Sequence, residues 1–175
     1  MPEKQWANCR SSRCHNCLSS GYPLVPVRAE GYKEHMSDST PVDVVRSAVT
    51  ALNDGDVDGY VRHFDPSCPR WVPGLAQPLT LAVISDNFRQ LYDAFEGLHL
   101  GEDLLFGDDQ FACARWRLRG RQVKDYLGCP PLGKEIDTET CEVYQVSGGV
   151  VVASWAYGDP GELFRQITGE QEGAR

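Results

Sequence analysis

Residues 141–159 read CEVYQVSGGVVVASWAYGD, with Pro160 next, and this stretch decides the fold. Two apolar runs rich in β-branched residues flank Ser147-Gly148-Gly149. Glycine supplies the positive φ angles of a tight turn, so the pattern predicts two antiparallel strands joined there. The second strand leads into a helix-start signature, with Asp159 as N-cap, Pro160 at the first helical position and Glu162 three residues after the cap.

A two-residue Gly148-Gly149 turn fixes the register. Glu142 then faces Trp155, Thr140 faces Tyr157 and Thr138 faces Asp159. Ile136, Thr138, Thr140, Glu142, Tyr144 and Val146 share one face of the first strand; Val151, Ala153, Trp155, Tyr157 and Asp159 share one face of the second. The expectation is a single inner surface, aromatic, with a few hydroxyls and two carboxylates. A rise of ~3.3 Å per residue sets Asp159 roughly 13 Å from Glu142. That separation suits two groups flanking a multi-ring molecule.

Working outward, the chain before this hairpin divides by period. Thr40-Pro41-x-Asp43 opens a helix carrying Val42, Val45, Val49 and Leu52 at helical spacing, and Asn53-Asp54-Gly55 stops it. A short second helix follows Asp56, and Arg70-Trp71-Val72 reads as a short strand. Thr80 caps a third helix with the stripe Leu81, Ile84, Phe88, Leu91, Tyr92 and Phe95. After Gly97 the period falls to two, predicting strands at about 98–106, 111–121, 135–146 and 150–157 and a closing helix over 160–167. Helices followed by an antiparallel meander make an α+β fold with helices packed on one face of a curved sheet. Ala112, Ala114, Trp116 and Leu118 point inward, and Arg115, Arg117, Arg119 and Arg121 form a solvated or subunit-contacting surface.

Residues 1–38 carry no helical or strand period and are net basic, whereas the rest is acidic. Such a stretch buries too little apolar area to offset its ordering entropy, so a disordered or over-long arm is expected before a domain at 39–169, with a tail at 170–175. The net charge of −8 over 175 residues argues against nucleic acid or an anionic membrane as partner. No apolar run reaches the ~20 residues of a membrane span. Arg10 and Arg13 are followed by no apolar core of a secretory signal, so a cytoplasmic location is expected.

Seven cysteines form no disulfide framework. Cys68, Cys113, Cys129 and Cys141 are scattered singly, as small buried hydrophobes are. Cys9, Cys14, His15 and Cys17 contain one Cys-x-x-Cys spacing, where paired knuckles mark zinc, so no metal is expected. Serine-hydrolase, P-loop and dinucleotide motifs are missing, and no cofactor is expected.

Several pieces in order resemble the SnoaL-like polyketide cyclases of the nuclear transport factor 2-like superfamily. They are Ala51-Leu52-Asn53-Asp54-Gly55-Asp56, Ala114-Arg115-Trp116-Arg117-Leu118-Arg119-Gly120 and Tyr126-Leu127-Gly128-Cys129-Pro130-Pro131-Leu132-Gly133-Lys134. Tyr144-Gln145-Val146, Trp155 with Asp159, and Phe164-Arg165-Gln166 complete the set, which covers about residues 41–169. The resemblance implies a cone-shaped fold with an apolar pocket at its open end, in a homodimer or homotetramer. It implies a cyclase, ketosteroid isomerase or epoxide hydrolase type of chemistry, or binding without turnover. In the cyclases an aspartate a few residues after the tryptophan of the last strand is the general acid/base, and Asp159 holds that place. The cyclases' nearby histidine is absent, because none follows His99; Tyr144 or Gln145 occupies that region. Val72-Pro73 stands where many relatives have a histidine beside the tryptophan matching Trp71.

The residue candidates follow. Asp159 would shuttle a proton, although the Asp-Pro-x-Glu context alone accounts for it as a cap. Glu142 is the second carboxylate, and a lone glutamate on an apolar strand face is otherwise salt-bridged to an arginine or reaches the rim. Trp71, Tyr92, Trp116, Tyr144, Trp155 and Tyr157 are candidates to line the substrate's pocket or pack the core. Tyr144 or Tyr157 would polarise an enolate oxygen. The expected chemistry is proton abstraction beside a carbonyl of a small apolar, polyketide- or steroid-like molecule, followed by aldol closure or double-bond migration. An epoxide hydrolase would need an Asp-Arg-Asp type cluster, which these inward faces do not assemble.

Overall fold

The computed structural model describes residues 39–159 and 161–169. The arm at 1–38 with its Cys9, Cys14, His15 and Cys17, the tail at 170–175 and Pro160 lie outside the described residues. Among those described, four helices pack on a five-stranded curved sheet. This is the α+β arrangement, helices on one face of a curved sheet, expected from the change of period.

Helix α1 (Pro41–Asn53) starts in a full capping box. The Asp43 amide donates to the Thr40 hydroxyl at 3.2 Å while the Thr40 amide donates back to Asp43 Oδ2 at 3.0 Å. Its buried stripe is Val44, Val45, Ala48, Val49 and Leu52. Burying each of its valine and leucine side chains contributes ~1.5–3 kcal/mol. Helix α2 (Val57–Val61) is capped by Asp56, which accepts from the Gly59 amide at 2.7 Å. The strand β1 (Arg70–Trp71) follows, then α3 (Leu81–Ala94), capped by the Thr80 hydroxyl.

Phe95 was expected to close the stripe of α3. Instead it begins β2 (Phe95–Gly107), three residues earlier than the glycine boundary suggested. The meander continues through β3 (Phe111–Gln122), β4 (Glu135–Ser147) and β5 (Val150–Tyr157) before α4 (Glu162–Thr168). The sheet order is β1-β5-β4-β3-β2, antiparallel except for β1, which runs parallel to β5. Bulges in β2 near Gly97 and between Glu102 and Leu104 bend the long strands around the helices.

The hairpin turn is the two-residue one expected, with Gly148 at φ 59° and Gly149 at φ 80°. The register beyond it differs. Val146 pairs with Val151 but Gln145 pairs with Ala153, which leaves Val152 as an extra, bulged residue. Every later pairing moves by one: Val143 faces Trp155, Glu142 faces Ala156 and Cys141 faces Tyr157. Because the side-chain period is two, that single insertion sends Ala153, Trp155 and Tyr157 to the side opposite Glu142 and Tyr144. Val151 stays with the core.

The helix after this hairpin also starts later than expected. Gly161 is its N-cap, with no side-chain capping bond. Asp159 precedes the helix and accepts from the Gly161 amide at 2.9 Å. Where β5 ends, Gln166 of α4 completes the exposed edge of β4. Its amide donates to the Asp137 carbonyl at 2.9 Å and accepts from the Asp137 amide at 2.7 Å, as a neighbouring strand would.

Candidate functional site

The inner face of β4 holds Glu142, Tyr144 and Val146 against α1, α2 and α3. Glu142 is only 5% exposed. An ionised carboxylate is held there only with strong partners, and they come from two directions. Arg70 Nη1 donates to Glu142 Oε2 at 2.8 Å and Nη2 to Oε1 at 2.5 Å, a bidentate fork. The Tyr144 hydroxyl donates to Glu142 Oε2 at 2.6 Å and accepts from the Trp116 ring N–H at 3.0 Å. A chain of hydrogen bonds thus runs Trp116–Tyr144–Glu142–Arg70 across three strands. Arg70 reaches it because β1 is docked on β5, with the Ser154 amide donating to the Pro69 carbonyl at 3.0 Å.

Apolar and aromatic side chains surround this chain. Tyr60 packs against Phe64 and Phe88 with ring centroids at 4.6 and 5.2 Å. Burial works against the charge of Arg70, but attraction to Glu142 and the nearby phenols outweighs it and holds the guanidinium above its usual value. Burial, then the charge of Glu142, pushes the Tyr144 phenol well above its usual value, so it remains a protonated donor. Burial likewise raises Tyr60. Cys68, also buried here, is pushed up to about 12 and is no nucleophile near neutral pH.

Asp159 is elsewhere. Its side chain is 49% exposed and paired with Arg165. The Arg165 contact, then the Gly161 amide, lowers its pKa, so the desolvated, raised-pKa carboxylate expected from an aromatic hollow is replaced by a solvated one held below the usual carboxylate value. Tyr157 is 44% exposed. Trp155 and Trp71 are register neighbours on the side of the sheet away from Glu142. The common surface of Trp155, Tyr157 and Asp159 with Glu142 is therefore not formed, and the bulge at Val152 is the reason. Of the expected lining residues, Trp116 and Tyr144 belong to the buried chain. Tyr92 is half-buried between the helices and donates to the Leu52 carbonyl.

Arg70 is the member that sequence reading missed. The signal was present in part: a lone glutamate on an apolar face calls for a cation, and Arg70 adjoins a predicted strand tryptophan. Three of the four outer arginines pair with a register neighbour, and Arg115 pairs with Asp103 instead. Arg117 lies opposite Glu139 and Arg119 opposite Asp137, each as an exposed ion pair. A groove of about 1080 Å³ between α4 and the far ends of β2, β3 and β4 is lined mostly by charged groups, among them Arg119, Arg121, Glu135 and Arg165. It is a wet surface feature. Among the described residues no cluster has the make-up of a metal site, and no helix is long and apolar enough to cross a membrane.

Comparison with known proteins agrees with the fold. The profile of the SnoaL-like polyketide cyclase family matches residues 42–167. No curated protein sequence matches the chain. Among solved structures, AclR from Streptomyces galilaeus is similar at TM-score 0.67 and 17% identity, over 75% of this chain and 83% of that one. IdmH from Streptomyces antibioticus is similar at TM-score 0.65 and 17% identity, over 74% and 99%. A SnoaL-like polyketide cyclase from Agrobacterium tumefaciens follows at 0.59 and 16%, over 74% and 98%. At these identities the structural likeness speaks for the fold.

Proposed function

This chain belongs to the SnoaL-like polyketide cyclase family, and from that premise we propose that it acts on an apolar, polyketide- or steroid-like carbonyl compound by cofactor-independent proton transfer at Glu142. The observation that carries this reading is the buried fork between Arg70 and Glu142, extended through Tyr144 to Trp116 on the helix-covered face. In the proposed reaction a substrate carbonyl takes over the Tyr144 hydrogen bond. That frees Glu142 Oε2 to accept the proton beside the carbonyl, while Tyr144 donates to the enolate oxygen. Arg70 keeps Glu142 oriented. Tyr60, Phe64 and Phe88, which pack on one another in this core, part to admit the substrate and then close around it to keep water out and hold the reacting carbons close. Closure of a ring or migration of a double bond follows from the enolate. Asp159, the residue the family pattern favours, is proposed to act at most at the rim.

The test needs no knowledge of the natural substrate. Purified protein is incubated with 2-tetralone in deuterium oxide, and deuterium gained beside the carbonyl is counted by mass spectrometry. The proposal expects exchange above the buffer rate, reduced in Tyr144→Phe. Exchange at the buffer rate for the wild type contradicts it.

One observation favours a second reading, binding without turnover: Oε2 of Glu142 already accepts two hydrogen bonds and Oε1 a third. On that reading 2-tetralone binds, seen by quenching of tryptophan fluorescence, and no deuterium enters it. An epoxide hydrolase is less favoured, because among the described residues Arg70 forms a salt bridge with one carboxylate only.

A further inference from the structure

The outer face of the sheet, remote from the helices, carries a feature unrelated to the chain of Glu142. Cys113 on β3 lies directly opposite Val143 on β4, and Cys141 on β4 lies directly opposite Arg115 on β3. The two cysteines are therefore diagonal neighbours, one on each side of the rung formed by Ala114 and Glu142. Alternation sends Ala114 and Glu142 into the core and both cysteines out. The two thiols are near enough for each to bear on the other's ionisation. Cys141 is exposed and Cys113 half-buried, and both are free thiols. Scattered cysteines were expected to be small buried hydrophobes. Cys68 fits that description and this pair does not.

We propose that Cys113 and Cys141 form a redox-sensitive dithiol that closes to a cross-strand disulfide when it meets a small-molecule disulfide such as oxidised glutathione. Cys141, the more accessible, loses its proton to water and attacks one glutathione sulfur. A mixed disulfide forms and the first glutathione leaves as a thiolate, which takes up a proton. Cys113, deprotonated in turn, attacks the Cys141 sulfur; the protein disulfide forms and the second glutathione departs as a thiol. Two protein thiols are oxidised and one glutathione disulfide is reduced to two thiols, so protons and electrons balance.

The spacing sets the character of the bond. Diagonal neighbours have backbones ~7–8 Å apart, wider than the ~4.4–6.8 Å usual across a disulfide. Closure therefore needs the two strands to shift towards each other, and the strained bond that results is easily reduced, as befits a reversible modification. Burial, then the neighbouring Cys141 sulfur, raises the Cys113 thiol above its usual value, consistent with Cys113 as the second, resolving partner. The inference holds whatever the interior binds.

The experiment uses the full chain. Protein is incubated with oxidised glutathione, quenched in acid, alkylated with iodoacetamide, digested without reductant and mapped by mass spectrometry. The expected product is a Cys113–Cys141 linked peptide, two hydrogens lighter than the sum of its parts and lost on adding dithiothreitol. In Cys113→Ser the link is absent and a glutathione adduct accumulates on Cys141. A lasting adduct on wild-type Cys141 with no link, a bond joining Cys141 of two chains, or linkage of either residue to another cysteine would each overturn the proposal.

Discussion

Two arginine–carboxylate pairs in this protein have the same chemistry and opposite surroundings. Arg70 and Glu142 meet inside, with side chains 12% and 7% exposed; Arg165 and Asp159 meet at the surface, 32% and 49% exposed. Water screens the outer pair and would solvate either member alone, so the contact adds little. The inner pair has no such fallback. Each group has left water and depends on the other for its hydrogen bonds. The family pattern points to the outer aspartate as the acid/base, whereas the reaction proposed above uses the inner glutamate, which is the buried and more heavily hydrogen-bonded of the two.

Breaking one partner exposes the difference most sharply. Arg70→Met leaves Glu142 buried without its fork and is expected to cost about 3–5 kcal/mol of stability, measured by urea unfolding. Adding Glu142→Leu should restore most of that loss, because the orphaned charge is then gone. If the double variant is no more stable than the single one, the pair is not coupled as described. Next in size is Tyr144→Phe, which removes a donor from Glu142 and an acceptor from the Trp116 ring N–H; a loss of about 1–3 kcal/mol is expected. Smallest is Asp159→Asn, for which the urea midpoint should stay within error.

The buried phenols and the surface aspartate should also respond to pH at opposite ends of the scale. Burial holds the Tyr60 and Tyr144 phenols above their ordinary value of 10.0. As pH rises the unfolded chain loses those protons first. The stability they contribute is fully present below about pH 10 and is lost above it. Asp159 is held below 3.8 by Arg165. Its contribution, too small at this exposure to move the urea midpoint by itself, is present above that value and is lost as pH falls through the folded pKa. Urea midpoints across both limbs check this: Tyr144→Phe should flatten the alkaline fall and leave the acid limb unchanged.

These pairs also show where sequence was legible. The capping box at Thr40 and Asp43, the change of period near Gly97 and the Gly148-Gly149 turn are local signals, and each appears in the structure. The inward face of β4 was legible too, since alternation from Ile136 to Val146 needs no partner strand. The fault began at Val152. Val150, Val151 and Val152 are chemically equivalent, so nothing in the sequence marks which of them bulges. The unmarked insertion turned Trp155 and Tyr157 to the other face and with them the reasoning that placed Asp159 in a hollow. Arg70 was hidden for a different reason. It reaches Glu142 across 72 residues from a strand only two residues long, and no local pattern encodes a contact of that range.

The most direct test sets the two carboxylates side by side. Deuterium exchange into 2-tetralone is measured for the wild type, Glu142→Gln and Asp159→Asn, each shown to be folded by circular dichroism, with Glu142→Asp as the charge-retaining control. Loss of a general base lowers such a rate by about 10²–10⁴-fold. That drop is predicted for Glu142→Gln, with partial recovery in Glu142→Asp and an unchanged rate in Asp159→Asn. Exchange that survives in folded Glu142→Gln and disappears in Asp159→Asn would contradict the assignment and return the chemistry to the surface pair.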